Sequence, residues 1–67
     1  MIYELTVGET YLSPGGRKFK VLHLAKHGQN CSLPMVVYTN LEPTDYPPGE
    51  VWVIEESLFL KTFRELA

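Results

Sequence analysis

Residues 34–54 read PMVVYTNLEPTDYPPGEVWVI, two runs of strand-forming residues on either side of a proline-rich segment. Val36, Val37, Tyr38 and Thr39 are all strand-favouring types, so Met35 to Leu41, opened by Pro34, is expected to be a strand. Pro43, Asp45, Pro47, Pro48 and Gly49 then crowd into Glu42–Glu50, where no regular element survives; this segment reads as a loop that carries Tyr46 outward at its tip. Val51-Trp52-Val53-Ile54 resumes as a further strand. Two strands joined by a proline-rich loop already favour a β architecture.

Towards the N-terminus, Ser13-Pro14-Gly15-Gly16 reads as a tight turn, with Pro presetting the second position and Gly supplying positive φ at the third. It is expected to join a short strand, about Thr10 to Leu12, to a longer one from Lys18 to His27. There Phe19, Val21, His23 and Ala25 alternate with Lys20, Leu22, Leu24 and Lys26. A helix ended by Gly28 is the competing reading of that segment. From Ser57 onward, Leu58, Phe59, Thr62, Phe63 and Leu66 fit a helical stripe, while Lys61–Glu65 fits a closing strand equally well. Short strands with turns every eight to twelve residues predict a mainly β protein: a small SH3-like β-barrel of four to five short antiparallel strands, with a short turn or 3-10 helix near residues 56–60. Trp52, Phe19, Phe59 and Phe63 are the expected core.

The 67 residues suffice for one domain, 1–67, and for no second core. A chain that is 45% hydrophobic and 12% aromatic, with a net charge of -2, is not composed like a disordered one. Apolar runs no longer than Val51 to Ile54 fall far short of the roughly 18 residues that cross a bilayer, and no basic-then-apolar signal opens the chain. A cytoplasmic protein without membrane contact is expected. Cys31 stands alone, which excludes an intrachain disulfide and suits a reducing compartment. A domain of this size buries only about 60% of its unfolded surface, so a homo-oligomer is a natural expectation.

Charge is segregated along the chain. Residues 10–41 hold Arg17, Lys18, Lys20 and Lys26 and no acid, whereas residues 42–67 hold six acids against Lys61 and Arg64. A basic strand of this kind attracts phosphate; the plainer reading is a solvated strand face whose lysines discourage edge aggregation. His23, His27 and Cys31 recur every four residues, which gathers them on a helix but not on a strand. At about 3.3 Å per residue the two histidines of a strand lie roughly 13 Å apart, too far to share an ion bound at about 2 Å, so no metal is expected. His27 is read instead as ending a strand and bonding a loop backbone. Cys31 near His27 lacks any legible orienting group or oxyanion device, and Glu55 and Glu56 are neighbours rather than a facing pair, so no enzymatic activity and no cofactor are expected. Gly15-Gly16-Arg17-Lys18 lacks the spacing of a phosphate loop, but free glycine amides beside cations would suit one phosphate. Tyr11, Tyr38, Tyr46 and Trp52 are candidates for stacking.

The order Tyr11, Gly16, Phe19, Val21, Ala25, His27, then Val36-Val37-Tyr38, Leu41, Trp52-Val53 and Leu58-Phe59 resembles a small bacterial and phage family designated domain of unknown function 1653. The resemblance spans about Gly8 to Phe63 and runs without a gap from Tyr11 to His27. It implies a compact, mainly β, SH3-like domain with no established activity. Where the family usually carries a Thr/Glu cluster after the histidine, this chain has Gly28-Gln29-Asn30; where an Arg-Pro pair follows the Trp strand, it has Ile54-Glu55.

Together these features predict a non-enzymatic binding module that contacts an anionic ligand, nucleic acid or a nucleotide, through the basic strand 17–27. Arg17, Lys18, Lys20, His23, Lys26, His27 and Tyr38 are its expected ligand-binding residues. The alternative is a protein–protein interaction module, such as a phage-type inhibitor of a host protein, acting through the 42–50 loop with Tyr46 as its partner-binding residue and through the acidic C-terminal half.

Overall fold

The computed structural model describes Ile2 and residues 4–66. Five strands and one helix follow in the order β1 (Thr10–Leu12), β2 (Lys18–Lys26), β3 (Pro34–Asn40), β4 (Val51–Glu55), α1 (Glu56–Thr62) and β5 (Arg64–Glu65). All neighbouring strands are antiparallel, and the sheet runs β4-β3-β2-β1-β5. The helical alternative for 18–27 is therefore not adopted. Nor is the sheet closed: β4 and β5 are its two edges, and α1 carries the chain between them.

The β1–β2 hairpin shows how local chemistry sets the register. The Gly16 amide donates to the Ser13 carbonyl at 2.9 Å, and the Ser13 amide donates to the Arg17 carbonyl at 2.9 Å. Positive φ falls on Gly16, at 81°, not on Gly15 as expected. The turn thus has ordinary right-handed geometry through Pro14-Gly15, followed by one left-handed residue that restores the strand twist. Open space surrounds the Gly16 Cα, so glycine is required there by backbone conformation alone.

Along β2 the expected alternation holds only as far as Val21. A bulge at Leu22 breaks the register with β3: Val21 pairs with Tyr38, but His23 pairs with Val37. One extra residue in a period-two element flips every later side chain. Lys18, Lys20, His23 and Ala25 consequently share the outer face, while Leu24 and Lys26 move to the side of Phe19 and Val21. The grouping expected from sequence is corrected on this point.

The inner face carries the core: Ile2, Tyr11, Phe19, Val21, Val36, Phe59 and Phe63 are buried, with Leu5, Tyr38, Trp52 and Ile54 packed against them. Trp52 is only partly buried, because β4 is an edge. Tyr11, a candidate for surface stacking, is buried; its hydroxyl accepts from the Thr6 amide at 2.9 Å and donates to the Glu4 carbonyl at 3.3 Å. The ambiguous tail contains both elements suggested for it. α1 is an α-helix, longer than the expected turn or 3-10 helix, with Glu56 in its first turn and Lys61 in its last, as the helix dipole favours. It ends where the Phe63 amide donates to the Phe59 carbonyl, and β5 then pairs with β1.

Candidate binding surfaces

Paired residues on adjacent strands share a face, so the register defines two surfaces. On the outer face β2 contributes Lys18, Lys20 and His23, and the Leu12 row connects Lys18 to Arg64 on β5. Arg64 thus joins two of the expected ligand-binding cations, an alignment that only strand pairing creates. β3 adds Met35, Val37 and Thr39 to this face, and β4 adds Val51, Val53 and Glu55.

The other expected ligand residues lie apart. Arg17 donates from Nη1 to the Pro43 carbonyl at 2.7 Å, and the Lys18 amide donates to Glu42 Oε1 at 3.2 Å; both bonds tie the hairpin to the proline loop. Lys26 pairs with Pro34 beyond the end of the core. His27 uses Nδ1 to accept the amides of Gln29 at 3.1 Å and Asn30 at 3.2 Å, closing the β2–β3 turn. Within that turn Asn30 Oδ1 accepts from both the amide and the hydroxyl of Ser32. Tyr38 turns its ring inward, stacked on Trp52 at 5.9 Å and edge-on to Phe19, Phe59 and Phe63, and burial pushes its phenol up. In the 13–16 turn the Ser13 and Gly16 amides are taken up by the Arg17 and Ser13 carbonyls, and the Arg17 amide next to it donates to Ser13 Oγ, so these amides do not face a phosphate. Cys31 is exposed, and among the described residues no three His, Cys, Asp or Glu side chains gather as metal ligands do.

The second surface is built by the loop after β3, and its organiser is Asn40. This side chain is 1% exposed. Its Nδ2 donates to the carbonyls of Glu42 at 2.9 Å, Pro47 at 3.1 Å and Tyr46 at 3.3 Å, while Oδ1 accepts the Glu50 amide at 3.0 Å. A proline-rich loop has few amides with which to bond itself, so one buried carboxamide takes over that role. Thr39 completes the anchorage, its hydroxyl donating to the Glu50 carbonyl at 2.6 Å. Asn40 was not singled out in the sequence; its signal was a polar residue at an inward strand position directly before the loop.

Held this way, the loop presents Tyr46 at 52% exposure with its ring edge-on to Trp52 at 6.0 Å. Beside it runs β4, an edge strand whose outer side chains Val51 and Val53 are 52% and 59% exposed. Glu50 precedes this strand, and Glu55 and Glu56 end it. No helix among the described residues is long and apolar enough to cross a membrane. Comparison of the chain with family models, with curated proteins and with solved structures finds no match.

Proposed function

We propose that this chain is a non-enzymatic protein-interaction module whose contact surface is the β4 edge together with the loop that presents Tyr46. The observation that carries the reading is the pair of exposed valines on the outer face of an edge strand, with an exposed tyrosine from a firmly anchored loop against Trp52 on its other face. Native proteins usually protect such edges with lysine, proline or a cover, and contiguous exposed apolar side chains mark contact sites. A non-enzymatic role fits the commitment of His27 Nδ1 to two turn amides, which removes that nitrogen as a base for Cys31. The proposal includes a cytoplasmic setting, in which the exposed Cys31 stays a thiol. It also includes the SH3-like arrangement of these short antiparallel strands that the resemblance to domain family 1653 implies.

A second reading is favoured by one observation, the alignment of Lys18, Lys20 and His23 on the outer face. There an anionic ligand, nucleic acid or a nucleotide, would bind by charge, without aromatic stacking from that face. Capture from host-cell extract on the immobilised protein separates the two. Under the first reading a partner held by the wild type is lost with Val53→Lys, weakens by about tenfold with Tyr46→Ala as for a typical aromatic anchor, and survives Lys18→Glu with Lys20→Glu. Loss with the lysine reversals alone would transfer the function to the cationic face, and indifference to Val53→Lys and Tyr46→Ala would end the first reading.

A further inference from the structure

Five features of β4 bear on what lies against it. The strand is an edge, and outside its ladder with β3 and the start of α1 no backbone hydrogen bond reaches it among the described residues. Its sequence, Val51-Trp52-Val53-Ile54-Glu55, contains no proline and no lysine. Its outward side chains, Val51 and Val53, are more than half exposed. Its inward side chains, Trp52 and Ile54, are partly buried, with Tyr46 against the indole. Carboxylates bracket it at both ends, Glu50 before and Glu55 and Glu56 after.

We propose that β4 accepts an extended peptide strand from a protein partner, one with apolar side chains at alternate positions and lysine or arginine beyond each end. The proposal rests on the reading of this surface as a protein contact and names the form of the partner. An added strand would satisfy the outer amides and carbonyls of β4. It would lay alternate side chains against Val51 and Val53 on one face and against Trp52, Ile54 and Tyr46 on the other. The acidic ends decide between occupants. A second copy pairing antiparallel about Val53 would place Val51 opposite Glu55 and bring Glu50 of one copy beside the Glu55–Glu56 end of the other, gathering like charges at both ends of the joint. A strand with cationic ends meets the same carboxylates favourably, so charge selects a different chain over a copy of this one.

The test is titration of the isotope-labelled protein at low salt with the synthetic peptide Lys-Thr-Val-Tyr-Val-Thr-Lys, followed by backbone amide NMR. Two further peptides carry glutamate at both ends, or proline in place of the tyrosine. The expected result is saturable shifts over Val51–Glu55 with slowed amide exchange on that strand. The glutamate peptide should bind about tenfold more weakly, as for two exposed ion pairs, and the proline peptide not at all. Glu50→Lys with Glu55→Lys, two exposed positions, should invert the preference for lysine over glutamate ends. Equal binding of lysine and glutamate peptides, retention of the proline peptide, or no binding of any peptide would overturn strand addition. Concentration-dependent shifts of β4 without peptide would overturn it in favour of a second copy. The reading of the surface as a protein contact falls separately, on the Val53→Lys and Tyr46→Ala capture experiment, so the two failures are distinguishable.

Discussion

A single carboxamide determines whether the proline loop has a shape. Asn40 is buried, and truncating it strips partners from at least three loop groups at once, including the Glu50 amide that leads into β4. Each buried polar group left unpaired costs about 1–3 kcal/mol, and the freed carbonyls regain some of this from water once the loop loosens. Asn40→Ala is therefore expected to lower unfolding free energy by about 2–4 kcal/mol in urea titration and to broaden the amide resonances around Tyr46. A loss below about 0.5 kcal/mol, the size of an ordinary surface substitution, would contradict the role assigned to Asn40. His27 and Arg17 teach a similar lesson: both carry groups suited to a ligand, and both spend them on backbone, at 3.1 Å and 3.2 Å for the histidine and 2.7 Å for the arginine.

At the scale of elements, α1 has seven residues, too few to persist in water without packing, since isolated helices shorter than about 12–15 residues are marginal. Phe59 supplies that packing. It is fully buried, stacked on Phe63 at 4.1 Å and edge-on to Tyr11 at 5.7 Å and Tyr38 at 5.6 Å. Phe59→Ala should cost about 3–5 kcal/mol, comparable with the whole stability of a domain this small at about 0.05–0.15 kcal/mol per residue. The expected outcome is a chain largely unfolded near 37 °C by far-UV circular dichroism; a midpoint equal to the wild type would refute it. β2 shows the reverse dependence, of an element on its partner. Its length was readable from composition, but the Leu22 bulge, which sets the faces of His23 and Lys26, exists only in the pairing with β3.

Across the whole molecule, the aromatic side chains link the parts. Tyr46 touches Trp52, Trp52 touches Phe19 and Tyr38, and these reach Phe59, Phe63 and Tyr11, so contacts pass from the proline loop through the sheet to the helix. Such a cluster couples the loop to the core, and the domain should unfold in a single transition. Trp52 fluorescence, which reports the β4 edge, and far-UV circular dichroism, which reports the backbone, are expected to give the same urea midpoint. An earlier fluorescence transition would show that the proposed contact surface opens independently of the core.

The first four strands, the proline loop, the N-terminal hairpin and the core phenylalanines Phe19, Phe59 and Phe63 were legible in the sequence, because β-branched runs, prolines and glycines act through local backbone conformation; the burial of Tyr11 was not. So were the exposure of Tyr46 and the placement of His27 at a strand end. What the sequence could not determine were the open sheet order, the side of the sheet each cation occupies and the burial of Asn40. These depend on which strands pair and in what register, and one bulged residue or one helix between two edges is enough to change them. The C-terminal tail lay between the two cases: helix and strand were both encoded there, and only packing of Phe59 and Phe63 on the sheet divided the segment between them.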